Sequence, residues 1–517
     1  MIPTTLPRTR PLRTGDWLRL AGRNYPDRIA VLGPHQPVTF TELNARVNRL
    51  TTAINDCGVQ PGDRVALFSS DSQQYLEALL ACMKLGAVFM PMNFRLNAAE
   101  LQVLMDASQP RLLFHASRNQ PVTDRADAGS LIGRVVLDDP GYEELLSRGR
   151  DEELDVVVHD SDLACIAYTS GTTGKPKGVL HSQAVVKQNM RSTLLMRGLR
   201  EDSTHYSAAP MFHISGMYFV LTQVARGATS LLLPDFEAGE VLSWLGSGQV
   251  TDAFLVPTMI NTLLRDPRVR DTDFSQLRSI AYGGAPMPLP LLREAMDVFG
   301  CDFLQPFGAG TEAGTQTALT VEDHRRAVNG STHLLASIGK PIVGMDLRLC
   351  EPGEGEPRDV APGDVGEIVT RGQAVMNGYL DQPEATARVL HDGWYRGGDM
   401  ARADEEGYLY LVGRKDDMII RGGENVYPAE IESVLHSLPE IEDAAVAGVP
   451  DEHWGEEVHA WVTLKPGSTF DEHAARESCR SRLAGYKVPV AFHVATELPR
   501  TATGKIVKHR LVSSLHP

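Results

Sequence analysis

The chain has 517 residues, 42% of them hydrophobic and 22% charged, enough for two or three domains and a large core. Its formal net charge of −16 argues against nucleic acid or an anionic membrane surface as main partner, although a locally positive loop can still hold a nucleotide. No stretch approaches ~18 consecutive apolar residues, so no membrane span is expected. Six cysteines (57, 82, 165, 301, 350 and 479) lie far apart without a CxxC or Cys/His cluster. They read as reduced core filler in a cytoplasmic protein. Arginines 8, 10 and 13 precede no apolar run, so no signal peptide is expected.

In chain order, Thr39 and Glu42 make a capping box for a helix over 39–54, with Leu43, Val47, Leu50 and Ile54 as its apolar stripe. A strand at Val65–Phe68, a helix near Gln74–Leu85 and a strand near Ala87–Met90 follow. Strands alternate with helices up to about residue 350, the pattern of parallel sheets covered by helices. Residues 111–160 are more polar and read as a connection between layers. From about 350 the chain turns to short strands with Gly/Pro turns, a compact β subdomain. The charged turn GRKDD (413–417) marks a second boundary. Beyond it, a helix (Pro428–Leu438), strands (Ala444–Val449 and Val458–Leu464) and a helix (471–484) suffice for a small α+β domain.

The most informative segment is YTSGTTGKPKG (168–178). An apolar strand, Leu163 to Tyr168, runs into a loop of small residues. Gly171 and Gly174 let backbone N–H groups approach an anion, and Thr169, Ser170, Thr172 and Thr173 add hydroxyl donors. Lys175 and Lys177 add positive charge, so the loop suits a polyphosphate. It is not a Walker A loop: two residues separate Gly171 from Gly174, and Pro176 follows the lysine.

This segment resembles the phosphate loop of the adenylate-forming superfamily, which includes acyl- and aryl-CoA ligases, peptide-synthetase adenylation domains and luciferases. The resemblance runs from about Asp27 to Lys508, with several motifs in the family's order. It implies an α/β fold: a large N-terminal domain (1–415) of parallel-rich sheets with a β subdomain at about 340–412, and a small mobile C-terminal lid (416–517). It also implies substrates ATP, coenzyme A and a carboxylic acid, with Mg²⁺ as cofactor.

Carried onto this chain, the resemblance gives His213 of APMFH (209–213) a place in the carboxylate pocket. Gly283, Gly284 and Ala285 of YGGAPMP (282–288) would lie beneath adenine. Asp399 of GWYRGGD would accept the ribose hydroxyls, Arg414 would hold ribose or phosphate oxygens, and Asp416 would be the hinge. In RGGENVYP (421–428), Gly422 and Gly423 would let the pantetheine arm pass, with Trp454 lining the tunnel and Tyr486 and Lys487 contacting the CoA nucleotide. Lys505 of LPRTATGKIVK (498–508) matches the adenylation lysine, whose charge would stabilise the attack on the α-phosphate.

Two positions depart from the pattern. The family's Tyr-Gly-X-Thr-Glu stands here as Phe307-Gly308-Ala309-Gly310-Thr311-Glu312, one residue longer. By resemblance the aromatic residue packs near adenine, Thr311 contacts phosphate and carboxylate, and Glu312 holds Mg²⁺. An extra residue adds about 3.3–3.6 Å of chain, which either misplaces these groups or is absorbed as a bulge at Ala309–Gly310. Gly397 replaces the threonine expected before Gly-Asp. Both changes touch the ATP side, so adenylation stands in question while CoA transfer looks intact.

The reading is an acyl-CoA ligase making an acyl-adenylate and then a thioester. A thioesterification-only enzyme fed by a partner ligase, a carrier-protein-loading enzyme, a luciferase-like oxygenase and a non-catalytic nucleotide-binding protein remain as alternatives. Small residues in the pocket segments, Gly216, Gly308 and Gly314 among them, point to a bulky hydrophobic acid.

Overall fold

The computed structural model describes residues 12–34, 36–169, 176–285, 287–422, 424–451, 453–500 and 506–515. Among these the strands form four sheets. The largest runs Lys340–Pro341, Thr317–Leu319, Asp302–Phe307, Ser279–Tyr282, Asp252–Leu255, Thr204–Ser207, Thr229–Leu231, Ile29–Leu32 and Val38–Thr39. Its six inner strands, from Asp302–Phe307 to Ile29–Leu32, are parallel, and antiparallel pairs close both edges. A six-stranded sheet runs Gly133–Val136, Leu112–His115, Arg64–Phe68, Val88–Pro91, Leu163–Thr169 and Lys177–Ser182, parallel except for its last pair.

Helix Phe40–Asp56 begins where its sequence says it should. The Glu42 carboxylate accepts from Thr39 N at 2.8 Å while Glu42 N donates to Thr39 Oγ1 at 3.2 Å. Its stripe, Leu43, Val47, Leu50 and Ile54, is buried. Helix Gln73–Leu85 packs against it and is buried on every side. Its two charges are therefore paired: Glu77 with Arg46 and the Tyr142 hydroxyl, Lys84 with Asn44, Asn48 and Glu153.

Residues 111–160 correct one expectation. They supply two parallel strands, Leu112–His115 and Gly133–Val136, and the helix Pro140–Arg148. Their polar character reflects an edge: Gly133–Val136 borders the sheet and remains half-exposed.

Beyond 340 an antiparallel sheet joins Asp346–Cys350, Gly366–Arg371, Trp394–Ala403, Leu390–His391 and Leu409–Arg414. A 3₁₀ turn, Lys415–Asp417, leads to the last sheet. Its hairpin, Ile441–Asp451 with Gly455–Leu464, extends past the expected strand ends. Asp451 caps that turn, accepting from His453 N and Trp454 N. Helices Pro428–His436 and Glu472–Arg482 bury Ile431, Leu435, Ala475 and Cys479 on one face of this sheet. Trp461 on the other face packs with Ala445, Ala447, Leu498 and Leu511.

No helix among the described residues is long and apolar enough to cross a membrane. Cys82, Cys165, Cys350 and Cys479 are buried, whereas Cys57 is exposed and so is not core filler. The described residues contain no cluster of three or more His, Cys, Asp or Glu that could hold a metal ion.

Candidate active site

Segments distant in sequence meet because each follows the carboxyl end of a parallel strand. Asp71 follows Arg64–Phe68, Pro210–His213 follow Thr204–Ser207, Gly283 follows Ser279–Tyr282, and Gly308 follows Asp302–Phe307. In open α/β sheets this edge is where ligands bind.

Leu163–Thr169 and Lys177–Ser182 form an antiparallel ladder closed by Thr169 opposite Lys177. The loop between them, Ser170, Gly171, Thr172, Thr173, Gly174 and Lys175, lies outside the described residues. Lys177 Nζ stands 4.9 Å from the centre of the Tyr379 ring, and the Tyr379 hydroxyl donates to Glu312 Oε1 at 3.3 Å. The hairpin and the Thr311–Glu312 motif thus share one neighbourhood. Segment 377–380 runs along the hairpin, with Leu380 N donating to Gly178 O and Leu180 N to Gly378 O.

The Phe307–Glu312 segment is fixed at several points. Phe307 pairs with Thr317 at the strand end. Gly310 takes φ +55°, a left-handed turn natural to glycine, and bridges to Gly314. Glu312 N donates to Ala309 O, and Glu312 O accepts from Met376 N at 2.8 Å. The Thr311 carbonyl accepts from His181 Nε2 at 2.7 Å, which leaves His181 Nδ1 to accept from the Tyr218 hydroxyl at 2.7 Å. Burial pushes His181 down to about 4 against the Thr311 bond, so the ring is neutral at pH 7.

Asp399 and Arg414 face each other on paired strands, with Arg414 Nη1 3.0 Å from Asp399 Oδ1. Tyr395 lies beside them. Burial above all, then the carboxylate of Glu312, Tyr379 and Asp399, raise its hydroxyl well above the usual tyrosine value. Gly397 lies against the longer motif: a Cβ there would sit 3.7 Å from Ala309 Cβ and 3.1 Å from the Tyr395 ring. The two departures from the family pattern are therefore spatial neighbours.

His213 caps helix Ile214–Arg226, its Nδ1 bonded to Ser215 Oγ at 2.8 Å, and is exposed. Two residues earlier, Met211 N donates to Asp71 Oδ1 at 2.8 Å. Burial pushes that carboxyl up to about 7. Gly283 runs against the Pro306 carbonyl, where a Cβ would approach to 3.0 Å; Gly284 turns at φ +84° and Ala285 follows it.

Three of the pocket glycines carry no information about pocket volume. A Cβ on Gly216 would lie 2.2 Å from Pro210 O, on Gly308 2.1 Å from Gly314 O, and on Gly314 1.9 Å from Asn189 Oδ1. These residues are small because backbone or a neighbouring side chain passes over them, so they do not report the size of the acid.

Downstream, Trp454 stands on Gly422, whose φ is +59° and whose Cβ would meet the indole at 2.8 Å. Gly422 N donates to Trp454 O, and the Arg421 guanidinium lies 5.4 Å over the indole while bonding Tyr486 O at 2.8 Å. Lys487 is ion-paired with Glu430. Gly422, Trp454, Tyr486 and Lys487 thus form one group, and Gly423 lies outside the described residues. Asp416 is exposed in the Lys415–Asp417 turn, beside Lys415, whose Nζ is 3.6 Å from Glu367. Lys505 lies outside the described residues, between Arg500 and Ile506, which form an antiparallel bridge.

Sequence reasoning did not single out His181, Tyr218, Tyr379, Tyr395 or Arg421.

The AMP-binding enzyme family model matches residues 18–380, and the AMP-binding enzyme C-terminal domain matches 430–505. The chain belongs to this family, in the acyl-CoA synthetase branch, and is an AMP-forming acid–CoA ligase. Feruloyl-CoA synthase from Amycolatopsis sp is 40% identical over 495 residues, covering 96% of this chain and 97% of the relative. Indoleacetate–CoA ligase from Aromatoleum aromaticum is 35% identical at 96% and 97% coverage. Among solved structures, o-succinylbenzoate CoA synthetase from Bacillus subtilis, in complex with its acyl-adenylate intermediate, superposes with a TM-score of 0.84. It is 31% identical, covering 96% of this chain and 97% of that one.

Proposed function

We propose that this enzyme carries out both half-reactions on an aromatic carboxylic acid. The acid and ATP give acyl-AMP and pyrophosphate, and the CoA thiol then displaces AMP. The anchored Phe307–Glu312 segment carries the reading. The left-handed Gly310 takes up the extra length while His181 holds Thr311 and Met376 holds Glu312. Feruloyl and indoleacetyl relatives support an aromatic acid.

In this reading no side chain acts as nucleophile; the protein positions and stabilises charge. Lys177 and the phosphate loop hold the polyphosphate, Asp399 and Arg414 the ribose, and Gly283–Ala285 the adenine. Thr311 and His213 orient the acid's carboxylate, and Lys505 offsets charge at the α-phosphate. Gly422 and Trp454 guide pantetheine, with Arg421, Tyr486 and Lys487 at its mouth. Asp416 is the hinge on which residues 416–517 turn between steps. Glu312 fits Mg²⁺, which is commonly held by one or two carboxylates plus substrate phosphates; there it would neutralise phosphate charge.

The test compares two starting points across aliphatic, aromatic and polycyclic acids. One arm supplies acid, ATP, Mg²⁺ and CoA; the other supplies the synthetic acyl-adenylate and CoA, both read by mass spectrometry. Thioester from both arms supports the complete ligase. Thioester from the adenylate alone means that a partner must supply the intermediate.

A further inference from the structure

Tyr395 is only 5% exposed and belongs to one buried cluster with Val179, Ala313, Met376 and Tyr379. Ala309 of the longer motif packs against that cluster. Among the described residues nothing hydrogen-bonds the Tyr395 hydroxyl. Its neighbour differs, because the Tyr379 hydroxyl donates to Glu312 Oε1 at 3.3 Å. A tyrosine this buried normally finds a partner for its hydroxyl within the protein, so one left unused points to a ligand.

The surroundings narrow what that ligand is. The charges of Glu312, Asp399 and Arg414 all act on this oxygen. Asp399 Oδ1 accepts from Arg414 Nη1 at 3.0 Å, and Asp399 Oδ2 borders the space beside Gly397. A Cβ at position 397 would lie 3.7 Å from Asp399 Oδ2, 3.7 Å from Ala309 Cβ and 3.1 Å from Tyr395 Cε1. Cε1 is bonded to the ring carbon that carries the hydroxyl. The missing side chain therefore opens a gap with a carboxylate on one side and the hydroxyl-bearing edge of a phenol on the other. Tyr395, Gly397 and Asp399 alternate along strand Trp394–Ala403, which turns all three to one face.

With Asp399 on the ribose hydroxyls and Glu312 at the polyphosphate, the group bonded between them is the 5′-phosphoryl group of the nucleotide. We propose that Tyr395 is a further nucleotide-binding residue whose hydroxyl donates to a 5′-phosphoryl oxygen of ATP, acyl-AMP and AMP through the gap at Gly397. The proposal rests on the reading of Asp399 as the ribose carboxylate. A phenol is protonated near pH 7 and is a donor there. Its bond to an oxyanion is charge-assisted, roughly twice as strong as a neutral one. A threonine at 397 would bring a hydroxyl to this gap; here the tyrosine two residues earlier supplies the donor that Gly397 lacks.

The experiment measures equilibrium binding of AMP and of adenosine to the full chain by calorimetry, without added metal, for the parent, Tyr395→Phe and Asp399→Asn. Phenylalanine keeps the ring in its cluster and removes one oxygen. Hydrogen bonds to charged groups set the expected loss of AMP affinity in Tyr395→Phe at roughly ten- to hundredfold. Adenosine has no phosphoryl group, so its binding stays within about twofold. The urea midpoint of the unliganded chain stays unchanged, since the hydroxyl bonds nothing in the described protein. A merely structural hydroxyl would lower that midpoint and weaken both ligands alike. Equal losses for AMP and adenosine, or none for either, overturn the proposal. Asp399→Asn is expected to weaken both ligands. If it weakens neither, the ribose placement fails and the Tyr395 contact with it. If it weakens both while Tyr395→Phe keeps its AMP affinity, only the Tyr395 contact fails.

Discussion

Replacing Asp71 with Asn removes a charge that the fold accommodates poorly while keeping the hydrogen bond that the fold uses. The Asp71 carboxylate accepts from Met211 N at 2.8 Å, tying the end of strand Arg64–Phe68 to the segment that leads into His213. Burial drives its pKa from 3.8 up to about 7; the Met211 bond and Arg95 oppose this, and Asp235 adds to it. The folded state thus binds more protons than the unfolded chain between pH 3.8 and about 7, and stability falls as pH rises through that window. At 1.36 kcal/mol per pH unit the full penalty is ~4 kcal/mol, and solvent reaching part of the residue trims it to about 1–3 kcal/mol. Asparagine offers the same acceptor without charge. Asp71→Asn is therefore expected to exceed the parent in denaturant midpoint at pH 8 by clearly more than at pH 5, where only about a third of the penalty has accrued. The assay is urea unfolding at both values, with the midpoint difference converted through a common slope. A variant less stable than the parent at pH 8 would refute the argument, because the ionised carboxylate would then be favourably paired with Arg95.

Tyr218→Phe removes the donor to His181 Nδ1 in a buried place, at a cost of about 1–3 kcal/mol. It should also slow ATP–pyrophosphate exchange, since the ring holding the Thr311 carbonyl loses its anchor; unchanged exchange and stability would argue against that link. Gly314→Ala puts a Cβ 1.9 Å from Asn189 Oδ1 at φ +62°, so thermal unfolding should shift by 2 kcal/mol or more on the usual scale for overpacking and strain. Gly422→Ala forces the Trp454 indole off its seat. It should lower thioester formation from synthetic acyl-adenylate by about tenfold or more while sparing exchange, and equal effects on both would place the indole outside the CoA path.

Local chemistry was the legible part of this fold. The Thr39/Glu42 capping box, the stripe Leu43–Ile54 and the strand–helix alternation to about 350 rest on contacts within a few residues, which a sequence displays directly. The segment 111–160 was misread because Leu112–His115 is a fully buried four-residue strand, too short for a period, and Gly133–Val136 is polar for lying at an edge. Two of the pocket glycines are uninformative for a different reason. Gly216 and Gly314 are small because Pro210 O and Asn189 Oδ1 cross above them, and those contacts exist only once the chain has folded. His181, Tyr379 and Tyr395 were invisible for the same cause: each matters through a partner more than 60 positions away.

In the longer Phe307–Glu312 segment, counting residues along the motif does not by itself give its geometry. A motif fixes functional groups in space, and the chain between them matters only through the strain it transmits. Here the segment is pinned at Phe307 on the strand, at the Thr311 carbonyl and at the Glu312 carbonyl. Between the first pin and the second lie Gly308, Ala309 and Gly310. Gly308 runs so close to Gly314 O that no side chain fits, and Gly310 turns through a left-handed conformation that costs glycine little. Ala309, the one residue of the three with a side chain, directs its methyl group to within 3.7 Å of the Cβ position that Gly397 leaves empty. A threonine at 397 would press its Cβ on the Tyr395 ring at 3.1 Å and bring its branched end against the Ala309 methyl, which couples the added residue to the missing side chain. Restoring only one of the two, as in Gly397→Thr, should therefore cost more adenylation than leaving both altered, and removing the Ala309 methyl in the same molecule should recover part of the loss.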